Sequence, residues 1–483
     1  MTYQGLREWL DRVEEMGELK RIDGAHWDQE IGYLRYLART KNCPGPAVLF
    51  DNIVDYPQGY RVLTGAACNI NRIGLCLNIE EQFGLNDWMP FVRTVKTKLK
   101  ELTPIPAREV NTGPVLENVD EGDKIDLFKF PTPKWHKGDG ARYIGTGDLI
   151  ITRDPEEGWV NVGTYRTSIA DNKTLLTYID PGRHGRLHRE KYFRQGKPCP
   201  VVVVVGHDPL LHVAAGNEIP YGVSEFDWCG GIKGEAVDVI TGAYTGLPIP
   251  ANAEIAIEGE WLPDESRIEG PFAEFTGYYG SGSRPEPVMR IKRVLYRNDP
   301  IILGLMNAGR SRSGYASGRI DHRSVLRSAL IWNELEGAGI PGVTGVWCNT
   351  AGGTTMLIAV SVKQMYPGHA KQVGAIASQC HAGAQLGRYV FVLDDDVDPS
   401  YDFDVLWSLA TRSDPERSID ILRHCWSGPL DMAIPIEERG FNSRAIIECC
   451  RPFDRYNKYA EWAQFPRTLR TDLEKKFGSS IYE

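Results

Sequence analysis

The segment RIEGPFAE, residues 267–274, sets two carboxylates, Glu269 and Glu274, on either side of a Gly-Pro break. Phe272 and Phe275 lie beside them. On a regular strand, positions five apart face opposite sides, so Gly270-Pro271 must bend the chain if both carboxylates are to reach one site. Paired carboxylates in apolar surroundings repel and desolvate each other, and one then keeps its proton near neutral pH and serves as an acid. The strand-like run 159–170 adds Asn161 and Arg166, and YGVSEFD at 221–227 adds Glu225. Asn161, His184 and Glu225 are oxygen and nitrogen donors suited to Mn²⁺ or Mg²⁺, cations that accompany phosphate-bearing cofactors. No spacing proves that they meet, and two Glu near a turn are more often solvated.

Other motifs carry less. GTGDLI at 145–150 lacks the third glycine of a dinucleotide fingerprint and runs on into strand-like residues. His184 and His188 would share a helix face, though an isolated HxxxH pair reads better as polar surface than as a metal site. Asp394, Asp395 and Asp396 follow a strand and read as its solvated end rather than a Mg²⁺ site. The basic stretch 310–323 reads as a solvated loop; the alternative is recognition of a second anionic group on a substrate. The chain contains no GxxxxGK[ST], HExxH or GxSxG.

Elements must hold these groups in place. Apolar residues at helical spacing predict helices over 3–17 and 28–40, and 47–53 and 60–65 read as strands around a Pro-Gly turn. A Pro-rich, aperiodic stretch from about 103 reads as a linker. Between about 115 and 300, short strand-like runs alternate with turn signals, the pattern of a β-barrel or sandwich; MRIKRVLYRNDPIILGLM belongs to this set. Within it, Val201–Val205 is a buried strand leading into a helix-like segment. From about 311, a helix over 325–339 and further strands and helices favour a layered α/β sheet.

Composition sets the frame. The chain has 483 residues, net charge -9, and 42% hydrophobic residues, as expected of a multidomain globular protein. Its basic residues are scattered, against a nucleic-acid surface. No apolar run approaches the length of a membrane span, and the N-terminus has no apolar signal-peptide core. Ten cysteines without a CxxC read as reduced thiols in a cytoplasmic protein.

Taken together, the motifs resemble the UbiD family, which includes ferulate decarboxylases. EGPFAE at 269–274 looks like that family's EGPFGE-type segment. WxNxxxxR at 159–166 resembles its metal-Asn and network-Arg segment, and His184 keeps the family's separation from Asn161. NEIPYGVSE at 217–225 resembles its PxGVSE, and 394–398 and 407–415 resemble its C-terminal stretches. The resemblance runs through nearly the whole chain, in order. Ala273 stands where Gly is frequent, which makes the backbone there less permissive. Asn217 stands where ferulate decarboxylases carry Met.

The resemblance implies a reversible, non-oxidative decarboxylase of an aromatic, heteroaromatic or α,β-unsaturated acid, using prenylated FMN supplied by a flavin prenyltransferase. It implies an acid–base network of Glu269, Arg166 and Glu274, with Glu269 the proton donor. Asn161, His184 and Glu225 would hold Mn²⁺ (or Mg²⁺) at the flavin phosphate. K⁺ would sit near Trp159, Ala214, Ala215, Asn217 and Glu225. Thr164, Tyr165, Arg166 and Arg183 would lie beside the cofactor. The implied fold is α/β (α+β): an N-terminal α/β domain (1–110), a central split β-barrel like that of flavin reductases (111–310), a C-terminal α/β layered domain used in dimerisation (311–455), and a helical tail (456–483). A homodimer or higher homo-oligomer is expected. The competing readings are an enzyme working mainly as an aromatic carboxylase, a flavin reductase-like FMN oxidoreductase, and a non-catalytic scaffold.

Overall fold

The structure is a computed structural model. It describes residues 3–41, 45–217, 219–306, 310, 311, 314, 315 and 320–460, with scattered positions beyond. The tail expected over 456–483 lies largely outside the described residues, as do 312, 313 and 316–319 of the basic stretch 310–323.

The apolar run Cys199–Val205 is the centre of the fold. It pairs antiparallel with Ile255–Glu269 on one side and with Leu149–Arg153 on the other. Neighbouring side chains of a strand point to opposite faces. Val202 and Val204 accordingly join one core with Leu149, Ile151 and Ala256, while Val201, Val203 and Val205 join another with Ile150, Ile255 and Ile257. Both faces of this sheet are covered, which is why the run carries no polar alternation.

Eight strands follow one path: Tyr143–Gly145, Thr167–Asp171, Thr174–Thr177, Arg284–Tyr296, Ile255–Glu269, Cys199–Val205, Leu149–Arg153, Val160–Gly163. Asn118–Glu121 adds to Arg284–Tyr296 off that path. The sheet curls without closing, a half-barrel of the split-barrel kind. Its two ends carry the site: Val160–Gly163 bears Asn161, and the short turn to Thr167–Asp171 bears Thr164, Tyr165 and Arg166.

A four-stranded sheet is built from Leu19–Asp23, Ala47–Asp51, Arg61–Thr64 and Ile301–Gly304. The last strand corrects the sequence reading, which placed IILG with the barrel. It runs parallel to Arg61–Thr64 instead and closes the N-terminal sheet from far along the chain. The expected linker is also partly ordered: Arg108–Glu109 pairs with Asp238–Thr241. A five-stranded mixed sheet of Val343–Cys348, Leu357–Val362, Tyr389–Asp394, Phe441–Cys449 and Ile419–Trp426 forms the C-terminal layer.

The predicted helices appear as Gly5–Glu15, Glu30–Lys41 and Ile320–Gly337. The acids at the end of Tyr389–Asp394 are a solvated end only in part: Asp395 and Asp396 are exposed, but Asp394 is not. Asp394 is buried, accepting from Arg412 Nη1 at 3.0 Å and Arg451 Nε at 3.1 Å, while Asp396 receives both Arg412 amino groups. Among the described residues, no helix is long and apolar enough to cross a membrane.

Candidate active site

The long strand Ile255–Glu269 ends at Glu269, and the chain then turns at a cis Gly270–Pro271 bond. Gly270 has φ +89°, and a Cβ there would fall 2.4 Å from the carbonyl oxygen of Gly282. Only glycine suits both conditions. The turn carries Glu274 back, so both carboxylates reach Arg166. Arg166 Nε donates to Glu269 Oε1 at 2.9 Å and Nη2 to Oε2 at 2.6 Å, a bidentate fork. Nη1 donates to Glu274 Oε1, and to Ser281 Oγ at 2.8 Å. The guanidinium lies 4.4 Å over the Tyr178 ring. All three charged side chains are buried. The two carboxylates hold the Arg166 guanidinium well above its usual range, despite the opposing effect of burial.

This set opens on a cleft lined by Asn161, Thr164, Tyr165, Arg166, Arg183, His184 and Glu225, all seven of the side chains expected beside a cofactor. Glu274, Phe272 and Phe275 also line it, whereas Glu269 sits behind Arg166. The C-terminal layer supplies the opposite wall, including His381, Gln385 and Trp426. Arg183 Nη2 donates to Gln385 Oε1 between them. Arg323, from the edge of the basic stretch, lines the cleft and donates through Nε to Gly216 O at 2.7 Å.

The residues expected to hold a divalent ion fit that role chemically. Glu225 is buried at the start of helix Glu225–Lys233, and burial pushes its carboxyl up to about 8. It accepts from Val162 N at 2.6 Å. Among the described residues, no Lys or Arg pairs with it. The buried Asn161 leaves its amide nitrogen without a hydrogen-bond partner. A desolvated carboxylate with no cation is what a metal ion would relieve, and Asn161 would ligate it through its amide oxygen, not through the nitrogen. In the expected K⁺ set, Ala214 O accepts from Asn217 N, and Ala215 O from Thr164 N. Trp159 stacks edge-on against His184 and His188.

His188 does not lie on the surface. It is buried, within 3.0 Å of Thr152 Oγ1 and 3.6 Å of Asp154, and burial lowers its ring to about 4. Sequence reasoning missed Tyr143, Ser281, Tyr178 and Asp148, which no motif marks. Asp148 is fully buried and accepts the hydroxyls of Thr164 at 3.2 Å and Thr167 at 2.9 Å. It thereby ties down the turn that presents Arg166.

Comparison with known proteins identifies the class. Residues 10–89, 108–310 and 322–449 match the N-terminal, Rift-related and C-terminal domains of 3-octaprenyl-4-hydroxybenzoate carboxy-lyase. The protein is therefore an enzyme of the carboxy-lyase class. The chain belongs to the UbiD family. It is 29% identical to the pyrrole-2-carboxylic acid decarboxylase of Pseudomonas aeruginosa, over 98% of this chain and 97% of that one. It is 29% identical to the phenolic acid decarboxylase of a Streptomyces species, over 94% and 93%. The UbiD-class enzyme HmfF of Pelotomaculum thermopropionicum, solved in complex with FMN, superposes with a TM-score of 0.82 at 25% identity, over 97% of this chain and 98% of that one. The vanillic acid decarboxylase of Sedimentibacter hydroxybenzoicus in its closed form gives 0.85 at 26% identity, over 100% of both chains.

Proposed function

We propose that this enzyme decarboxylates an aromatic or heteroaromatic carboxylic acid with prenylated FMN in the cleft. The observation that carries the reading is the buried Glu269–Arg166–Glu274 set opening on a cleft whose other side offers a metal-type donor set. Loss of CO₂ from an sp² carbon leaves a carbanion with nowhere to place its charge, and the prenylated flavin, when bound, supplies the electron sink. The protein supplies orientation, proton control and exclusion of water.

Asn161, His184 and Glu225 would hold a divalent cation, Mn²⁺ or Mg²⁺, against the flavin phosphate. Arg183, Thr164 and Tyr165 would flank the cofactor. Arg166 would orient the substrate carboxylate and hold the proton-donating carboxyl in place. We assign the proton donor as Glu274, where the sequence reading chose Glu269. Two facts support the change: Glu274 lines the cleft, and Glu269 lies behind Arg166, gripped by two of its nitrogens. Phe275 would close the cleft to water. The reverse reaction, carboxylation at high bicarbonate, would use the same groups. Exposed Tyr401, Phe403 and Leu406 at helix Asp402–Arg412 support self-association through the C-terminal layer.

The test is purification from cells co-expressing a flavin prenyltransferase, followed by the mass of the released flavin, metal analysis, and CO₂ release from a panel of aromatic acids. A prenylated flavin with about one Mn per chain and turnover of a panel acid is expected. Plain FMN or no flavin, despite ample prenyltransferase, would overturn the reading.

A further inference from the structure

The loop that carries Glu274 is held from outside the half-barrel. Residues 274–283 turn on themselves: Gly277 N donates to Glu274 O at 2.9 Å, and Gly282 N to Tyr279 O at 3.3 Å. The loop brings two groups to one nitrogen. Arg166 Nη1 donates to Glu274 at the start of the loop and to Ser281 Oγ, at 2.8 Å, near its end. The fork on Glu269, at the end of the long strand Ile255–Glu269, fixes the guanidinium itself. Where the loop sits therefore decides whether Nη1 meets both of its acceptors.

A strap of the C-terminal layer reaches this loop. Residues 427–440 join Ile419–Trp426 to Phe441–Cys449, and Ser427 N donates to Gly440 O at 2.8 Å to close the base of the strap. Its root is pinned by the ion pair of Arg388 with the buried Asp431, which also accepts from Ala433 N at 3.2 Å. Beyond the root, Met432 lies over Gly280 and leaves no room there for a side chain. Arg439, half-buried, donates through Nη1 to Gly280 O at 2.7 Å and through Nε to Ile434 O of its own strap at 3.3 Å. The residue after Gly280 is the Ser281 that Arg166 uses.

We propose that Arg439 is a positioning residue of the acid–base set: by its hold on the Gly280 carbonyl it keeps Ser281 and Glu274 together at Arg166 Nη1. The proposal rests on the decarboxylase reading above. Arg439 does not line the cleft, so it acts through the loop. From the barrel side the loop is held by Gly138 N, which donates to the Tyr279 hydroxyl at 3.0 Å, and by Arg284, which donates to Ser281 O. Arg439 supplies the hold from the opposite side. A hydrogen bond from a charged donor shifts the balance between a seated and a displaced loop by about tenfold.

Arg439→Met keeps the length of the side chain and removes its donors. It lowers kcat by about tenfold, while KM and flavin content stay at their wild-type values. Arg439→Lys keeps one cationic donor and recovers most of the loss. Ser281→Ala removes the Nη1 acceptor directly, and the two losses overlap: in the S281A background, R439M costs less than about threefold, because interacting groups are not additive. Wild-type kcat in R439M, a full tenfold loss for R439M on top of S281A, or an R439K no faster than R439M overturns the proposal. If R439M does not fold, Arg439→Gln, whose amide is too short to reach Gly280 O, carries the same cycle.

A second readout is independent of turnover. Hydrogen exchange, followed by mass spectrometry on the protein as purified, reads the amides of Gly277 and Gly282 in peptides spanning 273–283. R439M should speed exchange there by about tenfold and leave peptides of the central strand Cys199–Val205 unchanged. Equal exchange at 273–283 in R439M and wild type overturns the proposal. A wild type that releases no CO₂ from any acid would instead sink the parent reading, with this exchange still deciding whether Arg439 holds the loop.

Discussion

At the scale of single residues, the site is a contest between two carboxylates for one guanidinium. The types were legible in the sequence: Glu269, Arg166 and Glu274 do meet in one hydrogen-bonded set, and the Gly-Pro break pointed to a bend. Their geometry was not legible, because sequence does not tell which carboxylate sits behind the arginine and which faces the cleft. Tyr143 and Ser281 were invisible for a related reason. A hydroxyl becomes a network member only through contacts far apart in sequence, such as Tyr143 with Glu269. Two outcomes follow at this scale. Glu274→Gln should lower kcat by about 10²–10⁴-fold, the usual range for loss of a general acid, while the flavin stays bound; both are read from stopped assays and the flavin spectrum. Arg166→Ala should also destabilise the fold, by about 3–5 kcal/mol, because it strands two buried carboxylates. Urea unfolding of the two variants separates these effects, since E274Q leaves the Arg166–Glu269 fork intact.

At the scale of elements, the strand pattern and the main helices were readable because period two and period 3.6 survive in the sequence. Long-range pairing was not. Ile301–Gly304 has the composition of any buried strand, and nothing local says that its partner is Arg61–Thr64. The turn that bears Arg166 is a further case. It depends on Asp148, a buried carboxylate held by two threonine hydroxyls, with burial raising it to about 7. The folded state thus binds a proton between about 4 and 7 that the unfolded chain has already released. Stability from this group is fully present below the ordinary aspartate range and is lost as pH rises through about 7. Asp148→Asn removes that dependence: its Tm should be flatter than that of wild type between pH 4 and pH 7, by calorimetry in matched buffers. At the other turn, Gly270→Ala meets both the positive φ and the carbonyl of Gly282. It should cost about 1–3 kcal/mol and lower activity, since the same turn carries Glu274 to Arg166.

At the scale of the whole molecule, the cleft belongs to neither sheet alone. The half-barrel supplies the charged floor, and the C-terminal layer supplies the facing wall through His381, Gln385 and Trp426. The sequence announced both layers but not their apposition, because no motif spans the gap. One contact makes the apposition testable. Phe275, which lines the cleft beside Glu274, packs on Gly353 of the C-terminal layer, where a Cβ would fall 2.5 Å from the ring. Gly353 has φ +61°, so an alanine there is strained as well as obstructive. Gly339 is the control: φ is +80°, but nothing lies within 4 Å of its would-be Cβ. Both Gly→Ala variants carry the backbone penalty of about 1 kcal/mol. Only Gly353→Ala must also displace Phe275, loosening the wall that keeps water from the proposed proton donor. It should lower kcat/KM by about tenfold, a value in line with the modest displacement of a positioning group, while Gly339→Ala, which carries the backbone penalty alone, loses less Tm and keeps full activity. Equal activities in the two variants would mean that Phe275 does not close the cleft, and that the C-terminal layer contributes shape without excluding water.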